Sequence, residues 1–141
     1  MNDEQQEYIK IIEELSNKVW SLERSLTRLS ILMEPNLKYP YWHRLLSLGI
    51  FEKDKQKLEY IMFHLSSRLN QEQDSLRIDT EYPSELFEKD LPTLNQTINI
   101  ISSTLNIKQE KIIQEILLCM YQQGMFQKLI SFLFPEEVKK L

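Results

Sequence analysis

Tyr8, Ile12, Leu15, Val19, Leu22, Leu26, Leu29 and Met33 follow one another at alternating gaps of four and three residues. The pattern runs for more than three heptads, which is the a/d seam of a coiled coil, and a helix carrying it needs another helix to cover it. The d positions are Tyr8, Leu15, Leu22 and Leu29, and the a positions are Ile12, Val19, Leu26 and Met33. β-Branched residues at a with leucine at d favour two parallel strands, a preference that Leu26 and Met33 weaken. Ile9, Ile11 and Leu32 widen the apolar stripe, so a trimer, or a seam covered by the chain's own later helices, stays open. Trp20 occupies a b position and marks a candidate second contact face.

Only two glycines, Gly49 and Gly124, and five prolines punctuate the 141 residues. A many-stranded β fold would need more hairpin chemistry than this. The fold class expected is all-α: a long N-terminal coiled-coil helix followed by a compact multi-helix bundle. Residues 1–36 form the expected oligomerisation helix, and residues 37–141 a bundle with a polar linker at about 72–90.

The long helix is expected over 3–34, with Asp3 able to cap its start and Pro35 ending it. At ~1.5 Å per residue it would be roughly 48 Å long. Pro40 suits the first turn of a short helix that Gly49 closes with a left-handed C-cap. A third helix is expected over about 52–71, with Leu58, Ile61, Met62, Leu65 and Leu69 at helical spacing. Acidic residues 72–85 are expected to form a mobile loop or insertion. Leu86, Phe87 and Leu91 suit a short turn of helix before Pro92. Another helix is expected over 93–104. Asn106 and Gln109 have the residue types of a capping box for a helix over about 107–122, which Gly124 ends. A last helix from Met125 carries Leu129, Ile130, Phe132, Leu133 and Phe134 to a stop at Pro135.

The formal net charge is −4. Residues 1–34 hold seven acids and four bases, 35–70 three and six, 71–92 seven and two, and the remainder four and five. With neither a basic excess nor a basic run, general nucleic-acid binding is not expected. The helices at 93–104 and 107–122 could be drawn as a helix-turn-helix with Lys108, Gln109, Lys111 and Gln114 facing DNA. However, residues 93–134 contain three lysines and no arginine, fewer cations than phosphate contacts normally use. The lone Cys119, within Ile116-Leu117-Leu118-Cys119-Met120, is expected to be buried as a small hydrophobe. His43 and His64 are not spaced as a ligand pair, so neither a metal nor a cofactor is expected. The opening Asn2-Asp3-Glu4 does not resemble a signal sequence, and no run approaches the ~18 apolar residues of a membrane span. A cytoplasmic protein is expected.

Two segments carry a resemblance. Tyr39-Pro40-Tyr41-Trp42-His43-Arg44-Leu45-Leu46-Ser47-Leu48-Gly49-Ile50, and Leu105-Asn106-Ile107 through Tyr121-Gln122-Gln123-Gly124-Met125-Phe126, resemble the YhaI-like family of small bacterial proteins. The order of elements agrees over about residues 8–70 and 90–134. The resemblance implies an all-helical, self-associating protein of spore-forming Gram-positive bacteria or their phages. The family has no established activity, so no functional residues carry over. This chain departs from it in a longer first helix, in the enlarged linker, and in having Phe51-Glu52 where the family has a serine cap.

The function expected is that of a non-enzymatic, self-associating adaptor or regulator acting through protein–protein contacts. It would assemble as a dimer or trimer through the eight seam residues, with another protein as a further partner. Tyr39, Tyr41, Trp42 and His43 form a concentrated aromatic cluster, the candidate partner or ligand contact. That cluster also motivates an alternative, a small-molecule or nucleotide-binding protein with pockets where subunits meet. A weak DNA-binding regulator is the third reading.

Overall fold

The computed structural model describes residues 2–72 and 78–141, and among them the secondary structure is entirely helical. The helices are α1 (Asp3–Leu32), α2 (Pro40–Ser47), α3 (Glu52–Leu69), α4 (Leu94–Leu105), α5 (Glu110–Gln122), α6 (Gln127–Leu133) and α7 (Pro135–Lys139). A 3₁₀ turn, Ser84–Phe87, precedes α4.

The cap of α1 lies one residue earlier than expected. Asn2, not Asp3, is the N-cap, and its side chain accepts from the Gln5 amide at 2.8 Å. Asp3 and Glu4 then lie in the first turn, at the positive end of the helix dipole. Met33 is already extended (φ −86°, ψ 151°), so the last a residue of the heptad series lies just outside the helix.

The core is built by α2 to α6. Tyr41 and Leu45 of α2 meet Leu58, Ile61, Met62 and Leu65 of α3, Ile98 and Ile101 of α4, and Ile113, Ile116, Leu117 and Met120 of α5. Leu129, Ile130 and Leu133 of α6 and its C-cap Phe134 close it. Phe132, expected with them, is half exposed, because it falls on the outer side of this short helix. Pro135 does not stop the chain's helical course. It ends α6 and opens α7, since a proline at the first helical position needs no amide partner.

Both glycine caps form as expected. Gly49 (φ +74°) and Gly124 (φ +87°) are left-handed, and the following amides bond back to Leu45 and Met120 carbonyls, both at 2.9 Å. Asn106 departs from expectation. It takes the left-handed conformation (φ 56°, ψ 42°) that terminates α4, while the Ile107 amide bonds to the Ser102 carbonyl. Asparagine tolerates this region better than other residues with side chains, so it serves here as a helix stop instead of a cap for α5. Helix α5 consequently begins at Glu110, with Gln109 as an N-cap that makes no side-chain cap bond.

The acidic segment expected as a linker has two parts. Residues 73–77 lie outside the described residues. Beyond them the chain is tied down: Leu86 is fully buried, Tyr82 stacks on Tyr60 at 4.6 Å, and Arg68 holds the backbone around it. Arg68 is 1% exposed. Its Nε donates to the Asp90 carbonyl, Nη1 to the Glu85 and Leu86 carbonyls, and Nη2 to Gln96 Oε1, at 2.8–3.3 Å. A buried guanidinium meets neutral acceptors here, and four hydrogen bonds compensate its lost hydration.

Candidate functional site

Helix α1 rests on α2 only near its C-terminal end. Residues 3–22 are exposed all round; Glu23 and Thr27 are half-buried, and Ser30 is buried. A hydrogen bond ties this joint. His43 Nε2 lies 3.0 Å from the Ser30 carbonyl, and because a carbonyl only accepts, that nitrogen carries the proton. Gly49, at the α2 turn, faces Thr27 with room to spare: a methyl added there would stand 3.8 Å from Thr27 Oγ1, an ordinary contact distance.

Glu23, Thr27 and Ser30 occupy e, b and e of the heptad. Their stripe lies roughly 100° around the helix from the middle of the a/d seam. The polar side of α1 therefore docks, and the apolar side is left in solvent. Seam residues Tyr8 through Met33 are 46–64% exposed. The option that the chain's own later helices cover the seam is thus corrected: α2 takes the neighbouring stripe instead. Ile9, Ile11 and Leu32 are also exposed, as is Trp20, over whose ring Arg24 sits 5.7 Å from the centroid.

The aromatic cluster divides. Tyr41 is fully buried in the core, so it is not available to a partner, contrary to the expectation for it. Burial pushes its hydroxyl pKa well up, with Glu59 and Glu52 adding to the effect. Its hydroxyl has no hydrogen-bond partner among the described residues. His43 is engaged with α1. Tyr39 and Trp42 remain on the surface side, stacked at 4.7 Å with planes 5° apart, and Trp42 is half exposed. An apolar cleft of about 400 Å³ opens beside Trp42, lined by Leu45, Leu46, Ile50, Phe51, Glu52 and Lys55.

Sequence reasoning missed Gln123, because its partners lie 81 and 82 residues away. Its Oε1 accepts from the amides of Trp42 and Tyr41 at 3.2 and 2.9 Å. Pro40 starts α2 without a side-chain cap of its own, so Gln123 satisfies two of the amides that every helix start leaves unpaired. Segments 39–50 and 105–126 therefore meet at one joint.

Cys119 is half-buried, not fully buried as expected, because it faces a gap of about 370 Å³ between the 35–37 connection, α2 and α5. Burial raises its thiol pKa, Glu115 adds to this, and Arg44 opposes it. A thiol kept protonated is a poor nucleophile. Arg44 itself is paired to Glu115 at 2.7 Å. His64 packs edge-on against Phe87 at 4.7 Å, and burial and then Arg68 lower its pKa. Among the described residues, no three His, Cys, Asp or Glu side chains converge as a metal site, and no helix is long and apolar enough to cross a membrane. Lys108 and Lys111 are exposed but alternate with Glu110, and Gln114 is half-buried.

Compared with protein-family models, with curated proteins and with solved structures, the chain finds no match.

Proposed function

We propose that the protein is a self-associating helical adaptor or regulator, without chemistry of its own, that assembles through the a/d seam of α1. The observation that carries this reading is the exposure of the whole seam on a helix whose first two thirds are exposed on every side. Isolated helices are marginal in water, so a projecting apolar helix is best stabilised by a packed neighbour. Full burial of an aliphatic side chain is worth about 1.5–3 kcal/mol, so each half-exposed seam residue would contribute about 1 kcal/mol. Two facing seams, each with the seven seam residues that lie within α1, would contribute roughly 14 kcal/mol, comparable with the ~4–15 kcal/mol lost as translational and rotational freedom on association. The YhaI-like resemblance points the same way, since it also implies self-association, and the expected cytoplasmic setting suits the single free cysteine.

Leu22→Lys tests the reading. Leu22 is 64% exposed, so its removal costs about 1.5 kcal/mol per copy and about 3 kcal/mol per pair of copies. That corresponds to association at least a hundredfold weaker, before any cost of burying an ammonium group. A variant that sediments like the parent protein at low micromolar concentration would refute the proposal.

The cleft beside Trp42 supports a second reading, a small-molecule or nucleotide-binding protein, because ligand pockets are mostly apolar with a few polar groups, supplied here by Glu52 and Lys55. Quenching of Trp fluorescence by a nucleotide or metabolite, lost in Trp42→Phe, would support it. A flat response across such a set would count against it.

A further inference from the structure

We infer that the partner on the seam is a second copy of this chain, paired in parallel and in register as a two-stranded coil. This rests on the self-association proposed above and adds its stoichiometry and direction.

The number of strands follows from what α2 already covers. A third strand would need the flanks on both sides of the seam, the e and the g columns. At the C-terminal end of α1 the e side is taken at Ser30, which is buried against His43, while Glu23, one heptad earlier, is half-buried and keeps part of its surface open. What remains open is a face one helix wide. Val19 at a with Leu15 and Leu22 at d, the middle of the seam, has the residue types that favour two strands.

Direction follows from charge and from where α1 ends. In a parallel pair, the g residue of one helix lies beside the e residue of the other, five positions further on. Lys18 at g then meets Glu23 of the second copy, twice per dimer by symmetry. In an antiparallel pair g lies beside g and e beside e. Lys18 is then beside Ile11, Ser25 or another Lys18, and Glu23 beside Ser16, Ser30 or another Glu23, so neither finds an opposite charge. Antiparallel pairing along the full seam also sets Tyr8 against Met33, and Met33 is extended, outside the helix. That arrangement loses both residues from the packed series, whereas parallel pairing loses Met33 alone.

The test combines mass with cross-linking in the full chain. Gln5 is an a residue in the first turns of α1, and Gln5→Cys is made in a Cys119→Ser background so that it is the single thiol. In a parallel pair the two introduced cysteines face each other and oxidise to a disulfide-linked dimer. In the antiparallel pair they lie roughly 45 Å apart and do not. Charge reversal gives an independent readout: Lys18→Glu should weaken dimerisation about tenfold by replacing two attractive pairs with repulsive ones, and adding Glu23→Lys should restore it. A dimer that cross-links and shows this restoration supports the inference. A dimer that does not cross-link, and whose affinity Lys18→Glu leaves alone, overturns the direction while self-association stands. A trimer overturns the strand number. A monomer overturns the inference together with the proposed function.

Discussion

Replacing Arg68 with alanine should destabilise the fold by about 3–5 kcal/mol, which follows from what surrounds this side chain. Arg68 is buried, and its guanidinium holds the carbonyls of Glu85, Leu86 and Asp90 and the side chain of Gln96. Glu85 and Asp90 are exposed residues, so water can replace the arginine at their carbonyls. Leu86 is fully buried, and an acceptor left unpaired there costs about 1–3 kcal/mol. The two stem methylenes that alanine lacks, Cγ and Cδ, add about 0.8 kcal/mol each in lost burial. For a chain of this length the sum corresponds to a melting temperature lower by roughly 10–15 °C. Arg68→Met keeps much of the stem and should recover about 2 kcal/mol of the loss. Urea unfolding followed by far-ultraviolet circular dichroism measures both variants. Cleavage by a glutamate-specific protease at Glu81, Glu85 and Glu88 reports whether the segment before α4 has come loose. A loss under 1 kcal/mol for Arg68→Ala, or equal losses for both variants, would refute this account of the clamp.

Stability should fall on mild acidification through His64. Its folded pKa is lowered by burial and by Arg68, so below the unfolded value of about 6.5 the unfolded chain takes up the proton first. Its contribution is complete above that pH and declines towards the folded pKa, with a slope of at most about 1.4 kcal/mol per pH unit. His64→Phe should remove this component, and identical pH profiles for variant and parent would contradict it. Tyr41→Phe should be neutral or stabilising by up to about 1 kcal/mol, because the buried hydroxyl it removes has no partner among the described residues; a clear loss in denaturant unfolding would mean the hydroxyl is satisfied. Gln123→Ala should cost about 1–2 kcal/mol by uncapping α2, as loss of an N-cap does. An unchanged urea midpoint would show that water replaces the amide.

Much of the fold was legible because its signals are local. The heptad spacing, Pro40, Gly49 and Gly124 each act within a few residues, and each gives the helix or stop expected of it. Asn106 misled because the same residue type suits a helix start and a left-handed stop, and the neighbouring backbone decides between them. Arg68 continues the stripe Leu58, Ile61, Leu65 at the next helical position, a signal that an inward-facing cation was present. What that cation would bind could not be read from α3, since its acceptors come from the 85–96 region. Gln123 had no local signal at all. For the seam, periodicity predicts a covering helix but not whose. The answer that the bundle does not supply it depends on Ser30 and His43 placing α2 on the polar flank.

The most direct measurement is the solution mass of the full-length protein by light scattering behind a sizing column, across a range of concentrations. The account predicts a species of twice the 17.0 kDa protomer, dispersed by Leu22→Lys. A mass of one protomer at tens of micromolar, the same for parent and variant, would contradict it.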